Sequence, residues 1–393
     1  MISRRSSAAQ APRWLIRLPL WGAGAWLAYV ALQHLLSGRF WLWLLPDLAP
    51  PLVYLAVPLV LLAAAPLAGR AWRWCAVLTA AALVLGAGRC GLNLGVASSA
   101  DGPAPAGAVR VFSWNTEYWH QSDDPDRFYE FLKDQRADVY LLQEYLNWVG
   151  GDPRQVDDLA RLRREFPGYH IAALGELVTL SRHPIVASPP VGPARTLGPR
   201  PPWRAAFDLA KVLRTDLRVG ASTLSMYNVH VPTQYMLDEN PLTSRFYANL
   251  QARNAARKAQ FDGLRDDAGA NAGPVLVSGD FNSTAAMGDM DWLFDRMESA
   301  NRAAPYLHPS SWPAGGPALW QLDWTFTSAA RVHGYRLVDP LGMSDHRAQA
   351  LIVSVAERQS EVAPNAAGPA APAMAAAPAP PRWRWSPLSG PAR

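Results

Sequence analysis

The chain has 393 residues, half of them hydrophobic, and a formal net charge of +5. This length accommodates one large domain plus additional elements. The positive charge lies at the two ends, because residues 101–361 carry 26 basic and 31 acidic residues. Such a region lacks the basic surplus of proteins that bind long polyanions. It also contains no cysteine, which excludes disulfides and Cys-based metal sites there.

Three apolar stretches occupy the first hundred residues, at 18–36, 48–67 and 74–96. Each approaches the roughly 20 residues that cross a bilayer, and Trp and Tyr flank them as at membrane interfaces. We therefore predict a membrane anchor of three transmembrane helices over residues 1–96. The alternative is a cleaved signal peptide followed by core helices, but no small-residue cleavage site follows the first stretch.

Arginines predict the orientation of this anchor. Six of them precede the first stretch or lie between the second and third, whereas only Arg39 and Arg89 lie on the other side. Because positive segments stay in the cytoplasm, the chain after residue 97 is predicted to be extracytoplasmic, with Arg89 snorkelling to the outer interface. If the third stretch did not span, that part would be cytoplasmic. Abundant Ala, Pro and Arg suggest a bacterial genome, and hence a multi-pass protein of the inner membrane.

Two further segments have the composition of unstructured chain. Residues 97–108 form a short Ala/Gly/Pro/Ser linker, and residues 357–393 form a tail rich in Ala and Pro that we predict to be disordered. Within that tail, Arg382 to Trp385 alternate Arg and Trp, so this patch either touches lipid or is solvated. One large folded domain is predicted between the two segments, at 109–356.

Within this domain, apolar β-branched runs alternate with fewer, longer helical patterns. Strands are predicted at 109–113, 137–142, 178–181, 222–228, 274–278, 321–327 and 348–355, and helices at 126–135 and 245–264. Strands that outnumber long helices in this way indicate an α/β sandwich of two packed sheets.

Polar residues follow or end most of these strands, where side chains from distant sequence can converge. Each one alone is more typical of a turn, but their joint occurrence is hard to explain as turns. Carboxylates and amides beside His, without paired Cys, are the ligands of a hard divalent cation next to an acid/base group. The candidate site residues are Asn115, Glu144, His230, Asp280, Asn282, Asp323, Asp345 and His346.

The same motifs carry a resemblance to a known family. In order they are Ser-Trp-Asn, Leu-Gln-Glu, Ser-Arg-His-Pro-Ile, Asn-Val-His, Arg-Lys-Ala-Gln, Ser-Gly-Asp-Phe-Asn, Leu-Asp-Trp-Thr-Phe and Ser-Asp-His, between residues 113 and 346. With this set the chain resembles the endonuclease/exonuclease/phosphatase superfamily, also called DNase I-like. The resemblance implies a four-layer α/β sandwich and a metal-dependent hydrolase of phosphoric esters or pyrophosphates.

The resemblance also implies a metal site. Glu144 would be the main ligand of Mg²⁺, with Mn²⁺ as the alternative ion, and Asn115 would lie beside it. Asp345 would be a further ligand or a neighbouring acid. A carboxylate and an amide oxygen suit a hard ion that keeps several of its waters.

The remaining motif residues would carry the reaction. By this resemblance, Asp280 orients or deprotonates the attacking water, and Asn282 holds a phosphoryl oxygen. His346, paired with Asp323, stabilises the transition state, and His230 donates to the phosphate or the leaving group. His at position 230 is more similar to the phosphatase and sphingomyelinase branches than to the apurinic-site nucleases.

The overall layout resembles a membrane-anchored subgroup, the VanJ-type proteins, which act on undecaprenyl pyrophosphate. The leading hypothesis is therefore a membrane-anchored phosphoesterase acting on a lipid phosphate or pyrophosphate by in-line attack of water. A lipid substrate predicts aromatic residues around the site, for which Trp119, Tyr145, Trp148, Trp203 and Tyr235 are candidates, although ordinary packing explains each as well.

Two alternatives differ in class. The first is a membrane-tethered extracytoplasmic nuclease acting on DNA, which the arginine groups at 161–164 and 253–257 keep open. The acidic balance and the anchor count against it. The second is a non-catalytic membrane-tethered binding domain with a relic site, against which the complete motif set argues. The expected partners are the membrane and a lipid-linked phosphate, with nucleic acid only under the first alternative.

Overall fold

The computed structural model describes residues 17–94, 104–236 and 239–355. It begins with three apolar helices, α1 (Leu18–Leu36), α2 (Val53–Ala64) and α3 (Trp72–Gly86), joined by short 3₁₀ turns. Small buried side chains, including Ala23, Ala65 and Cys75, form a core between these helices. Their small size lets the helix backbones approach closely.

The helix bounds differ from the predicted spans at the second and third stretches. α1 matches residues 18–36, but the second helix begins only at Val53, after two consecutive prolines, and α3 ends at Gly86. Residues 95 and 96 lie outside the described part of the chain. Within that part, one helical run, Val53–Arg89, is long and apolar enough to cross a membrane.

Arg89 is not free at an interface as predicted. Its guanidinium donates to both carboxylate oxygens of Asp291, at 2.5 and 3.1 Å, and its side chain is only 12% exposed. The arginine therefore ties the end of the helical segment to the domain that follows.

That domain contains two six-stranded mixed sheets and a small hairpin. In chain order the strands are β1 (Val109–Asn115), β2 (Val139–Gln143), β3 (Leu146–Val149), β4 (Asp152–Gln155), β5 (His170–Leu174), β6 (Leu177–Ser181), β7 (Ile185–Ala187), β8 (Val212–Val219), β9 (Ser222–His230), β10 (Val275–Asp280), β11 (Glu298–Ser299), β12 (Asp323–Ser328), β13 (Ala330–Val338) and β14 (Ala348–Val355).

The two sheets have matching architectures. The first has the strand order β13-β14-β1-β2-β6-β5 and the second β11-β12-β10-β9-β8-β7. Each sheet has one parallel pair near its centre, β1 with β2 and β9 with β10, while the other pairs are antiparallel. The carboxyl ends of each parallel pair lie at one sheet edge, and the polar motifs lie at those ends.

Five helices accompany the sheets: α4 (Pro125–Asp134), α5 (Leu159–Glu165), α6 (Trp203–Leu209), α7 (Ser244–Gly269) and α8 (Asp291–Arg296). Phe128 of α4 and Leu162 of α5 pack with the first sheet's Phe112. Phe261 of α7 packs with the second sheet's Val277. A third apolar cluster contains inner-face residues of both sheets, so the layers run helix, sheet, sheet, helix.

This is the predicted α/β sandwich with mixed sheets. The nine elements predicted in the domain are present, with ends shifted by up to five residues. Seven further strands among the described residues were not predicted, of which β8 and β13 are the longest. The seven are β3, β4, β5, β7, β8, β11 and β13. Residues 97–103 of the predicted linker and the whole Ala/Pro-rich tail, 357–393, lie outside the described part of the chain. The division of the chain into domains stays a prediction.

Candidate active site

Register in the second sheet places three predicted residues side by side. Asp280 ends β10 and pairs with His230 on β9 and with Asp323 on β12. Gly279 permits this arrangement because it has a φ of 146°, and a Cβ at that position would lie 2.0 Å from the carbonyl oxygen of Val229. The glycine of Gly-Asp-Phe-Asn is therefore required by close backbone approach.

Asn115 links the first sheet to the second. Its Nδ2 donates to Glu144 Oε1 and to Asp280 Oδ2, both at 3.0 Å, while its Oδ1 accepts the amide of Glu117 at 3.1 Å. Glu144 follows β2 with a φ of 59° and also accepts the amide of Tyr118. The Asn115 amide thus holds two carboxylates together, and its predicted role as a metal ligand stays a prediction.

His346 and Asp323 form a buried pair. The Nδ1 of His346 lies 2.8 Å from Asp323 Oδ2, and its Nε2 lies 3.7 Å from Asp280 Oδ2. Ser344 fixes the turn before it, because its hydroxyl donates to Asn115 O and accepts the amide of His346. The imidazole is thereby oriented with one nitrogen on a carboxylate and the other towards the site.

His230 faces the same space from the opposite side. Its Nε2 lies 3.7 Å from both Glu144 Oε1 and Asp280 Oδ2, and its Nδ1 lies 3.1 Å from Glu176 Oε1. Glu176 in turn forms a buried ion pair with Lys211. The sequence analysis selected neither residue. Glu176 lies just before the predicted strand at 178–181, which was an available signal, whereas the strand that follows Lys211 was itself not predicted.

The charges of the site set its pKa values. Burial alone would lower the pKa of His230, but the carboxylates of Glu176, Asp280 and Glu144 outweigh it and raise the pKa to about 9. Burial also disfavours the charged form of His346, yet Asp323 and Asp280 raise its pKa well above the usual value. Both imidazoles are therefore cationic near neutral pH.

The carboxyl groups shift in different directions. Burial raises the pKa of Glu144 and of Asp280, the latter also because Asp323 is close. Burial would raise that of Glu176 as well, but Lys211 and His230 lower it to about 2. The Asp280 carboxylate is therefore more basic than that of Glu176, which stays ionised.

Asn282 and Asp345 occupy more peripheral positions. The amide nitrogen of the Asn282 side chain donates to Val231 O at 2.9 Å and to Asp280 Oδ2 at 3.1 Å. Asp345 is partly exposed, accepts the indole N–H of Trp312 at 2.8 Å, and lies 3.8 Å from His346 Nε2. As placed, Asn282 steadies Asp280, and Asp345 stands at the rim.

Two of the five aromatic residues predicted to surround the site lie in the core instead, and the other three make contacts of different kinds. Trp119 and Tyr145 are buried in the core against the first sheet. Trp148 stacks on Tyr118 with ring centroids 5.9 Å apart, and Tyr118 in turn contacts Glu144 through its amide. Trp203 is tied to the Gly175 carbonyl, while Tyr235 packs against the helical segment.

Two of the arginines that kept a nuclease open are paired within the protein. Arg257 is 1% exposed and donates to the Ser283 hydroxyl. Arg161 is paired with Asp126 and Glu165 on the protein surface. These two guanidiniums are therefore occupied by the protein itself.

The donor set fits a divalent cation. The acidic side chains of the site outnumber the cationic ones even with both imidazoles charged, and the rim adds Glu117 and Asp345. By spacing alone, Asp280, Asp323 and His346 could hold a metal ion. The 2.8 Å contact between His346 Nδ1 and Asp323 Oδ2 already uses two of these ligand atoms. The four acidic side chains are Glu144, Glu176, Asp280 and Asp323, and the three cationic ones are Lys211, His230 and His346.

The model of the Endonuclease/Exonuclease/phosphatase family matches residues 112–346. The chain belongs to this family, whose members are hydrolases that include phosphatases and nucleases and generally use a divalent metal. None of the curated proteins matches the chain.

The chain is also similar to solved structures at low sequence identity. An endonuclease/exonuclease/phosphatase from Beutenbergia cavernae is 18% identical, covers 63% of this chain and 72% of its own, and has a TM-score of 0.44. Truncated Caenorhabditis elegans TDP2 is 16% identical, covering 63% and 98%, with a TM-score of 0.44. A mannosyl-6-phosphatase from Bacteroides thetaiotaomicron is 13% identical, covering 63% and 99%, with a TM-score of 0.42.

Proposed function

We propose that this protein is a membrane-anchored, divalent-metal-dependent phosphoesterase that hydrolyses a lipid phosphate or pyrophosphate, such as undecaprenyl pyrophosphate. Water attacks phosphorus in line, and the bond to the leaving oxygen breaks without a covalent intermediate.

The metal would be held by Glu144, with Asn115 and Asp345 as the further candidates. Glu144 keeps 17% of its side chain exposed and so borders the opening of the site. A bound Mg²⁺ or Mn²⁺ would offset the negative charge of the phosphoryl oxygens. The raised pKa of the Glu144 carboxyl is consistent with a group that lacks a full positive partner in the protein.

The protein's own residues supply the proton transfers. Asp280 accepts the proton of the attacking water, which suits its raised pKa, and its orientation is fixed by hydrogen bonds from Asn115 and Asn282. His346, held cationic by Asp323, stabilises the charge that develops on phosphorus. His230 faces Asp280 and protonates the leaving oxygen.

A lipid substrate is supported by contact between the apolar helices and the loops of the site. Gln33 of α1 donates to Ala286 O, only four residues after Asn282. The same helices expose large apolar side chains, including Trp21 at 71% and Val84 at 78%, which water disfavours and a bilayer accommodates. The site therefore adjoins the surface that we assign to lipid, and this adjacency carries the proposal.

Tethering of this kind favours membrane substrates. An anchored site experiences a high effective concentration of lipids in the same bilayer, whereas it gains little for a diffusing polymer. The acidic balance of residues 101–361 and the pairing of Arg161 with Asp126 and Glu165 also weigh against DNA. By the arginine distribution, we place the domain on the outer face of the inner membrane.

The test uses the full-length protein purified in detergent. We expect phosphate release from undecaprenyl pyrophosphate with Mg²⁺, no release with EDTA, and a loss of at least about 100-fold in His346→Ala. His170→Ala is the matched control, because His170 is exposed on an edge strand. Hydrolysis of phospholipid diesters or of DNA, without pyrophosphate cleavage, would replace the proposed substrate, and no hydrolysis of any of them would favour a binding domain.

A further inference from the structure

The chain segment that follows Asn282 is enclosed by the N-terminal helices. We call residues 283–290 the site loop. Ala286 is buried in one cluster with Val30, Tyr54 and Ala82, which belong to all three helices. Gly288 approaches so closely that a Cβ there would lie 2.3 Å from the carbonyl oxygen of Ser37. The loop is thus inserted between the helices and not merely laid against them.

Polar groups of the helical segment hold this loop by its backbone. Gln33 Nε2 donates to Ala286 O at 2.8 Å, and the Ser37 hydroxyl accepts the amide of Gly288 at 2.8 Å. Asp47, which is buried, orients both side chains, since it accepts Gln33 Nε2 at 2.5 Å and the Ser37 hydroxyl at 2.8 Å. Gln33, Ser37 and Asp47 are thus joined by hydrogen bonds, and such a buried network holds its members in one arrangement.

The other end of the loop is fixed to the catalytic groups. Asn282, with a φ of 45°, directly precedes it and bonds Asp280 through both its amide and its side chain. Buried Arg257 donates to the Ser283 hydroxyl at 2.7 Å and to Asp289 at 3.4 Å. A shift of the loop would therefore be transmitted to Asp280 within a few covalent bonds.

A second contact reaches the opposite rim. The indole of Trp320 donates to Leu48 O at 3.1 Å, and Trp320 pairs with Trp312 through two backbone hydrogen bonds of 3.0 and 3.2 Å. Trp312 in turn donates to Asp345 Oδ2 at 2.8 Å. Residues 33–48 thus support both the Asp280 side and the Asp345 side of the site.

We propose that residues 33–48 are a structural part of the active site, with Gln33 and Ser37 as positioning residues that set the geometry of Asn282 and Asp280 through the site loop. This inference rests on the proposed function for its kinetic consequence. It goes beyond tethering, because a tether needs no hydrogen bonds to a catalytic loop, whereas misplacement of catalytic groups by about 1 Å costs up to ~10²-fold in rate.

The test compares Ser37→Ala and Gln33→Leu with Ser37→Thr, which keeps the hydroxyl, and with Leu35→Ala, whose side chain is 59% exposed on the same helix. With bis(p-nitrophenyl) phosphate and Mn²⁺ as the probe, we expect kcat to fall about 10-fold or more in the first two variants, with KM nearly unchanged. The thermal midpoint of the purified protein is measured alongside. Ser37→Thr should restore kcat, and Leu35→Ala should leave it unchanged.

A second readout does not need turnover. Amide hydrogen exchange of residues 283–290 in full-length Ser37→Ala should accelerate, while that of β10 should not. Should Ser37→Ala fail to fold, Trp320→Phe removes the Leu48 contact, keeps an aromatic ring, and should lower kcat in the same way. Unchanged exchange and unchanged kcat would overturn the inference, whereas an inactive wild type with accelerated exchange in the variant would overturn only the proposed function.

Discussion

His230 and Asp280 occupy paired positions at the ends of the neighbouring parallel strands β9 and β10, and their Nε2 and Oδ2 atoms lie 3.7 Å apart. Because the hydrogen bonds of the sheet fix this register, the distance depends on rigid strands and not on mobile loops. The same holds for Asp323, which faces Asp280 across the antiparallel pair of β10 and β12. The loops add Glu144 and His346 to a centre that the sheet has already set.

The His346 and Asp323 pair is expected to act as one unit. His346→Gln and Asp323→Asn should each lower kcat by about 10²-fold or more, because the first removes the cation and the second removes the carboxylate that holds it charged and oriented. The double variant should be no worse than the more damaging single one. Steady-state kinetics of all three give the answer, with His170→Gln as the exposed control; additive losses would mean that the two residues act separately.

Glu144 is expected to control the metal requirement. Glu144→Gln keeps the size of the side chain but removes its charge, so the Mg²⁺ or Mn²⁺ concentration for half-maximal activity should rise at least about 10-fold. Isothermal titration calorimetry measures the affinity directly, after removal of metal with EDTA. Glu298→Gln, at an exposed position of a short edge strand, is the control, and equal affinity in both variants would exclude Glu144 as the main ligand.

The sequence predicted the convergence of the site because its residues follow buried strands. Periodicity of apolar residues located β1, β9, β10 and β14, and a polar residue after such a strand lies at the sheet edge. Strand β8 was missed because Arg214 and Asp216 interrupt its apolar pattern. These two form an ion pair with each other, and Arg214 also pairs with Asp267 of α7, a tertiary contact that no local window contains.

The sequence also did not predict the directions of the side chains after β1. Glu117, Tyr118 and Trp119 have consecutive positive φ values of 49°, 65° and 59°. This left-handed turn contains no glycine, so nothing in the sequence predicts it, yet it presents the Tyr118 amide to Glu144 and directs Trp119 into the core. The Glu176 and Lys211 ion pair was missed because 35 residues separate the two positions, so no local stretch of sequence contains both.

The Asn228 side chain is expected to stabilise the packing of the two sheets. It donates to Leu142 O and Val178 O, both at 3.0 Å, and accepts Gln143 Nε2 at 2.6 Å. Asn228→Ala removes these three buried hydrogen bonds, each worth about 0.5–1.5 kcal/mol, so the free energy of unfolding should fall clearly. Urea unfolding of the purified variants measures it. Thr223→Ala, at an exposed position of the same strand, should change it by less than about 0.5 kcal/mol, and equal effects would contradict the linking role.

The ion pairs of Glu176 should give stability a specific pH dependence. The pKa of its carboxyl falls from 4.5 to about 2 on folding, so this stabilisation is present above pH 4.5 and is lost as the pH falls towards 2. The pKa of His230 rises from 6.5 to about 9, so its contribution is complete below pH 6.5 and is lost as the pH rises through 9. Both contributions are therefore full only between pH 4.5 and 6.5.

Glu176→Gln removes the shared partner of both cations. At pH 4.5 to 6.5 the variant should be less stable by about 3–5 kcal/mol, because Lys211 is left buried without a counter-charge and His230 loses its nearest carboxylate. The deficit should shrink towards pH 2, and the share that comes from His230 should be lost above pH 9. Thermal unfolding across this range, in EDTA and at constant ionic strength, tests the sign at each end. Glu165→Gln breaks the more exposed Lys133 pair, which should matter little. A deficit for Glu176→Gln that stays constant with pH would show that its carboxylate packs in the site without being linked to the ionisation of His230.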